Sequence, residues 1–234
     1  MCNIFRFQND SYFLPERNLL RDYFTEQMTK LNEELIHMGA ACEEIIAMAS
    51  DALTEWDEEL VGNVKRIGAQ IDESERTIEN ICMKLLLRQQ PVARDLRCIS
   101  AAMKMITDME RIGDQAEDIV EIVPFMTRHP DEKYPKIREM ARETMRMVTE
   151  AVDAYVKQDL TLAQTAMQHD DVVDDYFTQV KRDIISMIAE NPNGGEYALD
   201  LLMIAKYFER IGDHCTNIAE WVVFSVTGEH KECQ

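Results

Sequence analysis

The sequence predicts an all-α protein that consists of two pseudo-symmetric antiparallel three-helix bundles. Apolar residues recur at spacings of three and four through six long segments, and no alternating strand pattern competes with them. The chain also repeats itself, with residue 110 matched by residue 209, an offset of 99. A repeat of that length that contains three helices predicts two similar bundles.

The six predicted helices are separated at several points by residues that end helices. Pro91 lies between the second and third segments, Pro130 and Pro135 between the third and fourth, and Pro192 between the fifth and sixth. The predicted helical segments are 19–61, 64–87, 92–126, 137–156, 160–188 and 198–226. We therefore expect a first bundle over 19–128 and a second over 129–234, preceded by an N-terminal extension over 1–18.

The clearest repeated stretch is "ERIGDQAEDIVE" at 110–121, which returns as "ERIGDHCTNIAE" at 209–220. Seven of the twelve positions are identical, and four of those seven are charged. The same offset pairs Trp56 with Tyr155 and Asp72 with Asp171. The glycines of the motif, Gly113 and Gly212, are expected to permit close helix packing rather than catalysis.

The acidic residues of each motif share one helix face with apolar residues that precede them. At 3.6 residues per turn, Glu110, Asp114, Glu117 and Glu121 form one stripe, and Asp118 lies at its edge. Antiparallel packing of the preceding helix brings further acids to the same level. The candidate metal-binding residues are Asp72, Glu75, Glu110, Asp114, Asp118 and Glu121 in the first half, and Asp171, Asp174, Glu209, Asp213, Asn217 and Glu220 in the second.

Two interpretations of these acidic stripes stay open. Carboxylates held close together repel one another, and a bound cation removes that penalty. Oxygen ligands suit Mg²⁺, Ca²⁺, Mn²⁺ or iron, whereas Zn²⁺ more usually recruits Cys or His, so the sequence leaves the identity of the metal open. Alternatively, the acids face solvent and pair with Arg111, Lys104 or a neighbouring helix; Arg111 and Arg210 are expected to form ion pairs.

The net charge of −19, from 44 acidic and 25 basic residues, disfavours binding to nucleic acid and to anionic membranes. No apolar run of about 20 residues predicts a membrane span, and no signal peptide is evident. The six scattered cysteines are expected to be reduced thiols. Tight binding of free phosphate is not expected except through bound cations, because no arginine cluster or glycine-rich loop offsets the charge.

The chain resembles the PhoU family of phosphate-signalling proteins from about Leu19 onward. The resemblance rests on the duplicated E-R-I-G-D motif, its continuation "HCTNIAEWV", the turn "RQQPVARDLR" and the repeat itself. It implies metal binding through Glu110 with Asp114 and Glu209 with Asp213. It further implies a cytoplasmic negative regulator that contacts a phosphate ABC transporter, through its ATPase or permease, and a membrane sensor histidine kinase.

From these observations we expect a non-enzymatic protein, a homodimer that reaches the membrane only through protein partners. A di-iron-like carboxylate enzyme and a metal-free helical scaffold are the alternatives. "ELIH", which ends at His37, resembles one E-x-x-H motif, but di-iron bundles use two and the repeat places Lys136 opposite His37. The five histidines otherwise show no evident partners. No phosphate-cradling glycine loop or nucleophile and base pair is evident.

Overall fold

The computed structural model describes residues 14–89, 91–126 and 135–229 and confirms the all-α fold. Within these residues there is no strand, and a short 3₁₀ turn, Pro192–Gly194, precedes the last helix. None of the described helices is long and apolar enough to cross a membrane. The helices are α1 (Leu14–Ala52), α2 (Glu58–Gln89), α3 (Ala93–Met126), α4 (Pro135–Lys157), α5 (Leu160–Glu190) and α6 (Gly195–Thr227).

The end of α1 and the beginning of α2 differ from those of the predicted segments. The sequence pattern continues the first helix to residue 61, but α1 ends at Ala52 and α2 begins at Glu58. Asp57 provides the physical reason, because its Oδ1 atom accepts a hydrogen bond of 2.7 Å from the backbone N–H of Leu60. At the other end, α1 already begins at Leu14, inside the predicted extension, and residues 1–13 lie outside the described part of the chain.

Each half folds as a three-helix bundle, and the two bundles pack against each other through α1, α3, α4 and α6. Helix α3 runs antiparallel to α6, since Asp108 contacts His214 while Lys104, one turn earlier, lies over the ring of Trp221, two turns later. Helix α2 packs on α1 and α3, and α5 packs on α4 and α6. The two motif-bearing helices are therefore central, and their acidic partners α2 and α5 are peripheral.

The buried apolar residues form one continuous core across both halves. Met109 and Phe208 occupy equivalent positions in the repeat and are both fully buried. Four cysteines, Cys42, Cys82, Cys98 and Cys215, are free and buried in this core, as predicted for reduced thiols. Cys2 and Cys233 lie outside the described residues.

Candidate functional site

The structure brings the predicted acids of α2 and α3 together as the first acidic cluster, which consists of Asp72, Glu75, Glu110, Asp114 and Glu117. Partial burial raises the pKa of Glu110, and the nearby charges of Asp114, Glu75 and Asp72 raise it further. Burial likewise raises the pKa of Glu75, with Glu79 and Asp72 adding to the effect. The two acidic stripes therefore face each other at one level, as the antiparallel register predicts.

Internal partners balance part of this negative charge. The guanidinium of Arg111 lies 3.4 Å from Glu110 Oε2 through Nε and 2.9 Å from Asp114 Oδ2 through Nη1. The hydroxyl of Thr107 hydrogen-bonds to Glu75. The predicted ion pairing of Arg111 is thus confirmed. Its side chain is 54% exposed, so these pairs are weak and easily exchanged for other partners.

Glu117 joins the cluster, although the sequence analysis did not select it as a ligand. Burial raises its pKa, and the charges of Asp114, Asp72 and Glu121 raise it further. Gly68 on α2 provides the space, because a Cβ atom there would clash with Glu117 Oε1. The place of Glu117 on the predicted acidic stripe was the available signal, but only the packing of α2 on α3 shows that it uses the space at Gly68.

The second acidic cluster consists of Asp170, Asp171, Asp174, Glu209 and Asp213 on α5 and α6. Burial raises the pKa of Asp174, and the negative charge of Glu209 raises it further, while the positive charge of Lys206 lowers it. Burial also raises the pKa of Asp213, and the negative charge of Glu209 is again the second cause. The predicted pairing of α5 acids with α6 acids is therefore present.

A lysine provides the internal counter-charge of this second cluster. The ammonium of Lys206 pairs with Glu209 Oε2 and lies 5.4 Å from the centroid of the Phe177 ring. In the repeat, Lys206 is equivalent to Thr107, so the two clusters place their cations at different positions of the motif helix.

Asp170 is a further residue that the sequence analysis missed. Burial raises its pKa to about 6, and the charges of Asp174 and Asp213 contribute to the shift, while the nearby Thr216 hydroxyl opposes it. Its Oδ1 atom would lie 3.0 Å from a Cβ atom at Gly212. In the first half, a Cβ atom at Gly113 would instead lie 3.2 Å from Ile71 Cδ1. The prediction that both motif glycines permit close helix packing is confirmed.

Asp118 and Asn217, two of the predicted ligands, lie at the contact between α3 and α6. The hydroxyl of Tyr207 donates a hydrogen bond to Asp118, whose pKa is raised first by burial. Asn217 Nδ2 donates to Asp108 Oδ1 at 3.1 Å. The remaining two predicted residues lie one turn further on, where Glu121 is exposed and Glu220 is partly buried.

Two of the histidines have clear partners, contrary to the sequence interpretation. His214 Nδ1 lies 2.9 Å from Asp108 Oδ1 at the contact of the two bundles. His169 on α5 lies between two glutamates of α4, with Nδ1 3.2 Å from Glu143 Oε2 and Nε2 3.5 Å from Glu150 Oε2. Both contacts join different helices, so spacing along one helix could not reveal them.

The donor chemistry of the acidic clusters fits a hard cation, but their side chains are not arranged as a finished site. Both clusters offer carboxylate oxygens, which Mg²⁺, Ca²⁺ and Mn²⁺ prefer. Among the described residues, no group of three or more His, Cys, Asp or Glu side chains is positioned to hold one metal ion. The carboxylates would have to turn from Arg111 or Lys206 toward a shared ion.

The family of the chain follows from its match to known proteins. The model of the PhoU domain matches residues 35–123 and again residues 137–222, which together cover most of both halves. The chain belongs to the PhoU family. The two matched ranges contain both E-R-I-G-D motifs and the acids of α2 and α5.

Similar members of the PhoU family include phosphate-specific transport system accessory protein PhoU homologues from several bacteria. The Pseudomonas aeruginosa protein is 32% identical over 207 residues, which cover 88% of this chain and 86% of that protein. The Synechocystis protein is 33% identical over 218 residues, or 90% and 94% of the two chains.

Solved structures of PhoU proteins share the fold. The crystal structure of PhoU from Pseudomonas aeruginosa superposes with a TM-score of 0.81 at 32% identity, covering 88% of this chain and all of that one. The phosphate transport system regulatory protein PhoU from Streptococcus pneumoniae superposes with a TM-score of 0.79, covering 88% of this chain and 98% of that one, at 24% identity. The second likeness therefore concerns the fold alone.

Proposed function

We propose that this protein is a non-enzymatic negative regulator of phosphate uptake and of phosphate-starvation signalling. The observation that carries the proposal is the match of both halves to the PhoU domain, together with relatives named as accessory proteins of phosphate-specific transport. The regulator acts on the cytoplasmic side by contact with a phosphate ABC transporter and a sensor histidine kinase. A homodimer is the assembly that we expect.

We also propose that the acidic clusters bind divalent or iron-type cations. In the first cluster Glu110 and Asp114 would hold the ion, with help from Asp72, Glu75 and Glu117. In the second cluster the corresponding residues are Glu209 and Asp213 with Asp171 and Asp174. Burial first, and then the mutual repulsion of the carboxylates, raises the pKa values of Glu75, Glu110 and Asp213, and a bound cation would supply the positive charge that offsets both.

The di-iron enzyme is the weaker candidate. Di-iron carboxylate bundles project their ligands into the bundle core. His37, the histidine of the single E-x-x-H sequence, is exposed on α1, on the opposite side of that helix from buried Leu35 and Met38. The acidic clusters also lie between the peripheral and central helices rather than in the core.

The regulatory role is tested by deleting the gene and measuring phosphate uptake and the expression of phosphate-starvation genes in phosphate-rich medium. Deletion should derepress those genes, and a plasmid copy should restore repression. A copy with Glu110→Gln, Asp114→Asn, Glu209→Gln and Asp213→Asn should restore it only in part. Unchanged uptake and signalling in the deletion strain would refute the regulatory proposal.

Metal binding is tested separately on purified protein by elemental analysis after dialysis against Mn²⁺. Glu110→Gln with Asp114→Asn should abolish uptake of metal by the first half. The control is Glu196→Gln with Asp200→Asn, which removes the same charges at the same spacing from the first turns of α6, outside both clusters. Equal metal content in both double variants would reject the assignment. A wild-type protein that takes up no metal would favour the metal-free scaffold.

A further inference from the structure

A cavity opens at the end of the first bundle, where α2 begins and α3 ends. Its volume is about 370 Å³, which lies at the lower end of the range for small-ligand pockets. The lining is mostly apolar and comes from the α1–α2 turn, the first turns of α2 and the last turns of α3. The apolar lining residues are Trp56, Val61, Val64, Val120, Pro124 and Phe125.

Acidic residues surround this apolar cavity. Glu117 and Glu121 line it on the α3 side, and among the described residues of its lining Lys65 is the single basic one. The turn that carries Trp56 reads "TEWDEE", and its four acids are all exposed: Glu55, Asp57, Glu58 and Glu59. The cavity is therefore an apolar pocket inside a strongly negative rim.

The equivalent place in the second half is built from different side chains. Tyr155, which corresponds to Trp56, is buried, and its hydroxyl donates a hydrogen bond of 2.9 Å to the carbonyl of Cys98. Phe224, which corresponds to exposed Phe125, is partly buried and packs edge-on against Trp221. The four acids correspond to Ala154, Val156, Lys157 and Gln158.

The repeat therefore kept the helices of this region, but the second half buries the equivalent aromatic rings more deeply and carries fewer acids in the equivalent turn. Exposed apolar surface costs free energy and concentrates at sites of interaction. Phe125 is 74% exposed. The helical scaffold does not require these features, because the second half reaches the same fold without them.

We infer that this pocket receives an apolar side chain, aromatic or leucine-like, that is carried on a basic segment of a partner protein. The apolar side chain would fill the cavity as an interface anchor, and Lys or Arg residues on either side of it would face the acidic rim. The negative field of the chain would speed the encounter with such a segment. The inference rests on the proposed function only for the identity of the partner, a component of the phosphate transport or signalling machinery.

The test uses purified full-length protein that carries Trp221→Phe, so that Trp56 is the single tryptophan reporter. The probe is a synthetic amphipathic peptide of Lys and Leu, titrated while Trp56 fluorescence is recorded, with calorimetry as the second measurement. Saturable binding with a change in Trp56 emission is the expected result. A peptide with Glu in place of Lys and another with Ser in place of Leu should each bind at least about tenfold more weakly.

Matched variants separate the pocket from the general negative charge. Val61→Phe, which fills the cavity, should weaken binding of the Lys/Leu peptide about tenfold or more, whereas Leu160→Phe at the equivalent position of the second half should leave it unchanged. Phe125→Ser, which removes the exposed apolar wall, should also weaken it and serves if Val61→Phe does not fold. Glu55→Gln with Glu59→Gln should reduce the salt dependence of binding.

Several outcomes would overturn the inference. These are no binding of the Lys/Leu peptide, equal binding of the Lys/Ser or Glu/Leu peptide, or equal effects of Val61→Phe and Leu160→Phe. A dimer that Val61→Phe dissociates, without peptide binding, would show that a second copy of the chain fills the pocket instead. Each of these results leaves the regulatory proposal to its own genetic test.

Discussion

The two halves of the molecule have the same helices and the same acidic motif, but they balance its charge in different ways. In the first half Arg111, inside the motif, pairs with Glu110 and Asp114. In the second half Lys206, three residues before the motif glutamate, pairs with Glu209. The equivalent arginine, Arg210, instead lowers the pKa of Asp118 through its positive charge, across the contact between the two bundles. A duplicated motif therefore preserves the acids without preserving their partners.

The contact between α3 and α6 differs from the acidic clusters in this respect, because there the two halves form hydrogen bonds at equivalent positions. Tyr207 contacts Asp118, and its repeat equivalent Asp108 contacts Asn217, the equivalent of Asp118. Tyr207 donates to a carboxylate in one contact, and Asn217 donates to a carboxylate in the other. The pseudo-twofold relation between the halves thus produces two hydrogen bonds at equivalent positions, and different chemical groups form them.

The largest expected effect tests whether the halves unfold together. Phe208→Ala should destabilise the protein by about 3–5 kcal/mol and Met109→Ala by about 2–5 kcal/mol, since both residues are fully buried at equivalent positions. Because the core is continuous, each variant should unfold in a single transition at a lower denaturant concentration. Two separate transitions, monitored by circular dichroism and by tryptophan fluorescence, would mean that the halves are independent folding units.

Removal of the paired contacts at the α3–α6 interface should have the next largest effect. Asp108→Ala loses hydrogen bonds with both His214 and Asn217 and should cost about 1.5–3 kcal/mol. Asp118→Ala should cost less, because burial raises the pKa of Asp118 and its ionised form already carries a penalty. Urea denaturation at pH 7 would compare the two variants. A larger cost for Asp118→Ala would contradict the ranking.

A smaller difference is expected at the ends of the two bundles. Tyr155→Phe removes the hydrogen bond to the Cys98 carbonyl and should cost about 1 kcal/mol. Trp56→Phe removes no such bond, since the indole N–H of Trp56 has no acceptor in the described part of the chain. Thermal unfolding of the two variants side by side measures the difference. Equal shifts would show that the hydroxyl of Tyr155 contributes nothing beyond the ring.

The smallest expected effect depends on pH and concerns Asp170. The equivalent residue in the first half is Ile71, which carries no charge. The pKa of Asp170 is raised to about 6, so the folded state favours the neutral acid, and stability is lost as pH rises from about 4 through about 6. Asp170→Asn should therefore gain stability above pH 6 and gain nothing below pH 4. Solvent screening of this half-buried group keeps the expected gain below about 1 kcal/mol.

The pH prediction is checked by urea denaturation at several pH values in the presence of a chelator. Asp175→Asn, on the same helix but exposed, controls for the loss of one negative charge from α5. If Asp170→Asn shifted stability equally at pH 4 and pH 7, the carboxyl group would not be the cause.

Much of the acidic arrangement could be predicted, because it depends on spacing within one helix and on simple antiparallel register. Glu110, Asp114 and Asp72 lie together as the 3.6-residue period and the position of the α2–α3 turn require. The end of α1 could not be placed, since the apolar period continues through the turn at 53–57. Asp57 ends that ambiguity by capping α2.

The sequence by itself determined the six helices, the two halves and the level of the two acidic stripes, because each follows from a period along the chain. The tertiary structure decided which charges meet. Glu117 reaches the space at Gly68, Asp108 of α3 meets His214 of α6, and His169 lies between two glutamates of α4. Contacts between helices depend on rotation and separation of packed helices, and the helical period of a single segment carries no information about either.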